Sequence, residues 1–460
     1  MIKRFYDNLN KYLHPGKVLI IYGPRQVGKT TLVDNFLSTT HFKYKKGTGD
    51  DIRIQKVFSS YSLVDIQRYV EDNELIFIDE AQNIPNVEKT LKLAVDQIPN
   101  IKIIITGSSS LELNQKMGYP LVGRSSELLL YPVSQFELQS EIGSFDLDSK
   151  NEDYLIYGGY PVVLMYQSKD DKISYLQSLV SSYLLKDILA FDKVKSNQKV
   201  YDLLRLLAFQ VGAEVSLREL ASNLNIDYKT VEKYIGLLEK SFVLFRIGTY
   251  SNNLRNEIKR NSKYYFYDLG IRNALINNFN GLNMRNDVGG LWENFLMIER
   301  KKRQSYLCND VNTYFWRYNK KEVDYIEEGG GKLYGYEFKY SSSQKTTKGL
   351  CAFQETYSAK VNSVSIVTKD NYIDFVASPR IMEKVELAHI PNGRYLLQMQ
   401  NDFPYLRNDL DKVINIIIMG RGSKQSWKDA LKTLEDVKDK IKDEGDKSKF
   451  ITLVSRIYIM

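Results

Sequence analysis

Two rhythms of apolar residues divide the chain. Unbroken apolar runs, Leu19–Tyr22, Leu75–Ile78 within Glu74–Asp79, and Ile103–Ile105 within Lys102–Thr106, read as buried strands. Segments of helical period lie between them, one opening at Thr31 and another spanning Ser62–Val70. Strands alternating with helices predict an α/β fold with a parallel sheet. Ahead of the first strand, Phe5, Leu9, Tyr12 and Leu13 stand at helical spacing and predict a leading helix that Pro15-Gly16 ends.

Residues 133–198 read as helical and are punctuated by Tyr157-Gly-Gly-Tyr-Pro161. From Val200 the pattern becomes three apolar-periodic segments, 200–211, 216–224 and 227–240, then alternating strands at Phe242–Tyr250 and Lys263–Tyr267. Ser216 with Glu219 is a capping box and Asp227 an N-cap, so this stretch predicts a helix-turn-helix with a β-wing. Tyr228, Lys229, Lys233 and Tyr234 are expected to face a groove, and Arg255, Lys259 and Arg260 to reach phosphates from the wing. Such modules also serve as protein-packing units, and Glu232 and Glu239 dilute the charge of this one. A helix over Leu291–Arg300 follows, then strands at Val311–Tyr318, Glu322–Glu327 and Lys332–Tyr340, and a βαβ continuation to Val361–Thr368. Farther on, Val413–Met419 reads as a buried strand, and Trp427, Leu431, Leu434, Val437 and Ile441 mark an amphipathic helix.

Chemistry enters where strands end. The first strand runs into Gly23-Pro24-Arg25-Gln26-Val27-Gly28-Lys29-Thr30-Thr31, a G-x-x-x-x-G-K-[ST] loop between a strand and a helix. Its backbone N–H groups are expected to cradle an anion at a helix N-terminus, with Lys29 on the β/γ-phosphates and the Thr30 hydroxyl on Mg²⁺. The second strand ends in Asp79-Glu80, where Asp79 would hold the Mg²⁺ shell and Glu80 would polarise the attacking water. On the third, Thr106 and Ser108 are candidate sensors of the γ-phosphate, with Ser109 and Ser110 read equally well as helix caps. Arg124, on the flexible Gly123-Arg124 step, is a candidate arginine finger or a surface contact.

A second constellation lies toward the C-terminus. Residues two apart on a strand share a face, so Glu337 and Lys339 project together, and a hairpin through Gly329-Gly-Gly331 is expected to set Asp324 beside Glu337. With Glu293 from the preceding helix, Asp324 and Glu337 are candidates to hold one or two Mg²⁺ against a phosphodiester, with Lys339 orienting water. Gln354–Tyr357 is expected to line the same cleft. A mixed sheet with an alternating charged face remains the plain alternative.

Composition changes little. The 460 residues are 43% apolar and 26% charged, ordinary for a soluble chain, and no run approaches a membrane span, which points to a cytoplasmic protein. Two cysteines, Cys308 and Cys351, form no disulfide framework, and three histidines give no zinc pattern. The net charge of +8 is spread along the chain and is compatible with a polyanionic partner without demanding one.

With these residues in place, the chain resembles a prokaryotic family of AAA-type ATPases that join a P-loop core to a winged helix and a C-terminal PD-(D/E)xK nuclease-like domain. The resemblance spans about residues 1–400 and rests on GPRQVGKT, FIDEAQ, ITGSSS, LVGR, YPVSQFE, LWENF, and EVDYI paired with YEFKY. It implies ATP rather than GTP. The expected architecture is α/β: a P-loop AAA-type ATPase core at 1–135, a helical lid at 136–198, a winged helix-turn-helix at 199–275 and a mixed α/β nuclease-like domain at 276–400. No function attaches to an extension at 401–460. ATP, Mg²⁺ and double-stranded DNA are the expected partners; a homo-oligomer or a protein partner belongs to the alternative, a nucleotide-gated switch or scaffold with an inactive nuclease-like domain.

Overall fold

The computed structural model describes residues 2–107, 121–181, 197–251, 262–308, 311–341 and 346–377, and beyond these 399, 402–403, 406, 410, 413, 424–438, 441 and 444–458. Ser108, Ser109, Ser110, Arg255, Lys259 and Arg260 therefore lie outside the described residues, as does the expected strand after Val413. The chain divides into two compact units, Met1–Lys369 and Asp370–Met460.

The first sheet has five strands, β1 (Val18–Tyr22), β2 (Tyr44–Thr48), β3 (Leu75–Asp79), β4 (Lys102–Gly107) and β5 (Ser125–Leu129), in the order β2-β3-β4-β1-β5. All its pairings are parallel, so every C-terminal end lies along one edge. The apolar runs are buried on both faces, as a helix-covered parallel sheet requires. Helix α1 (Lys29–Thr39) follows β1; α2 (Ile52–Ser59), α3 (Leu63–Val70) and α4 (Val87–Gln97) contribute Ile54, Phe58, Ile66 and Leu91 to a core with Ile20, Ile78 and Ile105.

The leading helix does not form. Only Leu9–Tyr12 winds, as a 3₁₀ turn, and the residues before it are not helical. Arg4 donates to Glu137, while Phe5 and Tyr6 both pack on Tyr306, with centroids 4.9 Å and 5.3 Å away.

As far as residue 181 the stretch is helical as patterned, with 182–196 outside the described residues: α5 (Gln135–Ser149), kinked at Gly143, then α6 (Asn151–Tyr157), α7 (Pro161–Met165) and α8 (Lys169–Leu179). Next come α9 (Asn197–Phe209), β6 (Glu214–Val215), α10 (Leu217–Leu224), α11 (Tyr228–Lys240), β7 (Leu244–Thr249) and β8 (Ser262–Phe266). Ser216 and Asp227 cap α10 and α11 as their positions predict. On α11, Tyr228, Lys229 and Lys233 are exposed, but Tyr234 is buried with Val231, Ile235 and Leu238. The expectation that Tyr234 faces a groove is thereby corrected: three residues after Val231, it falls on the inward stripe.

The strands on either side of the expected boundary at 275 share one sheet. After α12 (Leu269–Leu275) and α13 (Val288–Tyr306) come β9 (Asn312–Tyr318), β10 (Lys321–Gly329) and β11 (Lys332–Phe338), then α14 (Lys348–Thr356) and β12 (Val361–Val367). These strands do not make a separate sheet. They continue β7 and β8 into one seven-stranded sheet, β12-β11-β10-β9-β7-β8-β6, because β7 pairs parallel with β9 through Gly248 and Thr249. The β10–β11 hairpin turns on Gly330 and Gly331, both at positive φ, as the glycine triplet predicts.

The second unit contains α15 (Tyr372–Val376), α16 (Lys424–Lys438) and α17 (Glu444–Tyr458), with a core of Leu410, Val413, Leu434, Val437, Ile441, Phe450 and Leu453. Among the described residues no helix is long and apolar enough to cross a membrane.

Candidate functional site

The phosphate loop springs from the C-terminal end of β1. Gly23 sits at φ 146, and a Cβ there would lie 2.1 Å from the Leu130 carbonyl oxygen, so a bare backbone is required where the chain dives beneath the strap after β5. Gly28 caps α1 from the left-handed region. Lys29 is buried, and its ammonium donates to the carbonyls of Gly23 (3.0 Å) and Pro24 (2.7 Å). Val27 is buried, Gln26 and Thr31 are exposed, and Gln26 accepts a hydrogen bond from Tyr175 of α8. Arg25 is half-buried beside them.

Asp79 stands across from this loop and gathers three donors. Thr30 donates through Oγ1 (2.9 Å), Glu80 through its backbone N–H (3.1 Å), and Thr106 through its hydroxyl. Thr106 therefore grips the Asp79 carboxylate. Glu80 holds a left-handed backbone, φ 49, and its carboxylate accepts from Gln82. A hydroxyl and a carboxylate oxygen side by side, next to an ammonium and a helix N-terminus, make a donor set suited to a phosphate-bound Mg²⁺.

Arg124 lies elsewhere. Its carbonyl accepts from the N–H of Val18, the first residue of β1, and its guanidinium pairs with Asp96 at 2.5 Å. That is the opposite end of the parallel strands from the loop, so Arg124 does not reach the phosphate loop of its own chain.

Arg4, which the sequence reading passed over, binds three elements at once. It donates to the Val27 carbonyl of the phosphate loop (2.7 Å), to the Tyr131 carbonyl (2.6 Å) and to the Glu137 carboxylate (2.9 Å). Glu137 closes a capping box with Ser134 and accepts from Tyr306 at the end of α13 (3.4 Å). At the start of α5, Gln135 donates its N–H to Glu299 of α13 (2.6 Å), which Lys302 also holds (2.7 Å). Tyr22, just before the loop, packs on Phe242 between α11 and β7.

In the second constellation the structure brings the four expected residues into one region. The register Tyr325↔Tyr336 carries on to set Asp324 opposite Glu337, and Asp324 Oδ2 accepts from the Phe338 N–H (2.7 Å). A β-bulge between Val323 and Ile326 re-aims Asp324. Lys339 pairs with Glu337 at 2.9 Å. Burial raises the Asp324 and Glu337 carboxyls, and Asp324 raises Glu337 further by repulsion.

Glu293, however, is already engaged. Its Oε1 accepts from Lys263 (2.9 Å) and from the Tyr265 hydroxyl (2.6 Å), both on β8. Lys263 also pairs with Glu322 at 2.5 Å. Burial pushes the Glu293 carboxyl up to about 7 against the pull of Lys263. Burial pulls Lys263 down, but the charges of Glu293, Glu322 and Asp324 outweigh it and hold the amine above its ordinary range. Lys263 and Tyr265 gave no signal of a site in the sequence, because Lys263 reaches the cleft only through the fused sheet. Among the described residues no group of three or more His, Cys, Asp or Glu stands ready to hold a metal ion.

Gln354–Tyr357 does not line this cleft. Gln354 and Glu355 are exposed, and Tyr357 packs with Tyr250, Trp316 and Phe353, next to Val361 and the Leu333 end of β11.

Uncharacterised proteins of Mycobacterium bovis and Mycobacterium tuberculosis are each 26% identical over 354 residues, 74% of this chain and 74% of theirs. An uncharacterised protein of Haemophilus influenzae is 25% identical over 383 residues, 78% of this chain and 92% of its own. A crystal structure of a DNA replication initiation factor and that of AMPPCP-bound DnaA from Aquifex aeolicus match 51% and 52% of the chain and 85% of their own. Both are 17% identical, with TM-scores of 0.23 and 0.21, too low to establish a common fold. Residues 148–282 and 288–383 match two domains of unknown function, DUF8612 and DUF4143. Residues 15–139, which hold the phosphate loop, Asp79 and Thr106, match the family model of an AAA domain.

Proposed function

We propose that this chain binds and hydrolyses ATP as an AAA-type protein and acts on or with double-stranded DNA through a winged helix and a PD-(D/E)xK-like domain. The observation that carries the ATPase reading is the Thr30–Asp79–Thr106 hydrogen-bonded set facing Lys29 across the phosphate loop. Lys29 would leave the Gly23 and Pro24 carbonyls for the β/γ-phosphates, and the α1 N-terminus would bind phosphate oxygens through backbone N–H groups. Thr30 and Asp79 would hold Mg²⁺, which neutralises phosphate charge when bound. Glu80, kept in place by Gln82, would orient the attacking water, and Thr106 would keep Asp79 aimed at the ion's position. Arg124 would stabilise a γ-phosphate only in a neighbouring copy, within a homo-oligomer.

The DNA reading is supported by the order α9, β6, α10, α11, β7, β8, with β6 and β7 both pairing antiparallel to β8, and by exposed Tyr228, Lys229 and Lys233. Asp324 and Glu337 would hold a divalent ion against a phosphodiester, with Lys339 beside them. One observation favours a second reading, in which the cleft is inactive and the protein is a nucleotide-gated switch that docks a protein: Glu293 is tied to Lys263 and Tyr265.

Two experiments test these readings. Lys29→Ala is expected to lower ATP turnover by about 10²-fold or more with an unchanged circular dichroism spectrum; undiminished hydrolysis would refute the ATPase assignment. Cleavage of linear and supercoiled DNA by wild type but not by Asp324→Ala, with Mg²⁺ or Mn²⁺ and with or without ATP, is the outcome the nuclease reading requires. ATP hydrolysis without cleavage under any condition would favour the switch.

A further inference from the structure

The carboxylate cleft is asymmetric. On one side, Glu337 is 8% exposed, and its Oε2 has no hydrogen-bond partner among the described residues; only Oε1 is engaged, by the half-exposed Lys339. A buried carboxylate oxygen left bare is costly unless something cationic or a donor fills the space before it. On the other side Glu293 and Glu322 are already paired. Lys263 is 1% exposed, and its ammonium sits between Glu293 Oε1 (2.9 Å) and Glu322 Oε1 (2.5 Å), with Tyr265 donating to the same Glu293 oxygen and Arg317 3.7 Å from Glu322. A lysine this deeply buried is held by its two carboxylates, and they by it.

We propose that Lys263 is a resident cation that closes the Glu293 side of the cleft to metal ions, so that in this conformation the cleft accepts one divalent ion, on Asp324 and Glu337. This rests on the reading of those two acids as ion ligands. Mg²⁺ needs only one or two protein carboxylates when water and a phosphate complete its shell, which suits the open side. A second ion at Glu293 would have to displace an ammonium within hydrogen-bonding distance of the same oxygen. The latch comes from β8, in the β7-β8-β6 half of the fused sheet, while the acids it restrains come from α13 and β10. Access to the second position therefore depends on how β8 is held against α13.

Mn²⁺ binding to the full chain without nucleotide, followed by the loss of the free-ion electron paramagnetic resonance signal, tests this. The ions that Asp324→Asn abolishes are those of the cleft. Wild type and Lys263→Arg are expected to bind one; Lys263→Met and Lys263→Gln are expected to bind a second, or to bind the first about tenfold more tightly. Identical binding by wild type, Lys263→Met and Lys263→Gln, still abolished by Asp324→Asn, would overturn the latch and leave the ion site standing. If no variant shows binding that depends on Asp324, the ion site itself falls and the latch with it. Should both neutral variants fail to fold, amine acylation of wild type decides by mass spectrometry. Lys263 is expected to stay protected at saturating Mn²⁺, and its exposure would contradict a resident cation.

Discussion

Single residues carry more of this protein's constraints than their types suggest. Gly158 stands at φ 74, and a Cβ there would lie 2.2 Å from Asp268 Oδ1, the carboxylate that caps α12 and accepts from the Gly159 N–H (2.7 Å). Gly158→Ala is therefore expected to destabilise the chain by about 2 kcal/mol or more, measured by the urea midpoint, whereas Gly143→Ala, with open space before its Cβ, should cost less. Buried acids set a pH dependence. Burial raises Asp268 to about 6 and Glu293 to about 7. An acid whose pKa is higher folded than unfolded binds more protons in the folded state, so its contribution is full below its ordinary pKa and is lost as pH climbs through the raised one. For Glu293 that window runs from about pH 4.5 to about pH 7 and is worth up to about 3 kcal/mol. Glu293→Gln should flatten the fall of the melting temperature across it; an unchanged slope would mean that Glu293 is ionised throughout.

At the scale of elements, what matters is which ones are tied together. Arg4 joins the phosphate loop to Tyr131 and Glu137, and Glu137 touches the last turn of α13. Arg4→Ala would strand a buried carboxylate, a loss of about 3–5 kcal/mol, and Arg4→Lys should rescue it poorly because one ammonium does not span three acceptors. ATP turnover is expected to drop in both variants although Arg4 does not belong to the loop. Full turnover with a lowered melting temperature would make Arg4 a purely structural clamp. The same logic explains Tyr157-Gly-Gly-Tyr-Pro161. Read from sequence as punctuation between helices, it is a packing joint where Gly159 meets Val133 and Gly158 meets Asp268.

For the whole molecule, one sheet runs from β6 to β12 and joins β7 and β8 to the strand that carries Asp324, so a duplex held by α11 would be held relative to Asp324 as well. If the chain works on DNA, duplex affinity should fall steeply and log-linearly with salt, and Lys229→Ala with Lys233→Ala should reduce that slope by about 1–2. Weak binding with a flat salt dependence would point to a protein partner instead. The sequence by itself determined the phosphate loop, the Asp79 strand end, the caps at Ser216 and Asp227, and the Asp324–Glu337 hairpin. Each of these is local: a few consecutive residues, or two strands joined by a glycine turn, fix the geometry through backbone sterics and period. Only the tertiary structure decided that Arg124 lies at the far end of its sheet, that Tyr234 turns inward, that Arg4 grips the loop and that Lys263 occupies the cleft beside Glu293. Those depend on strand order and on charges that meet across 30 to 133 residues of chain, distances over which no periodicity speaks.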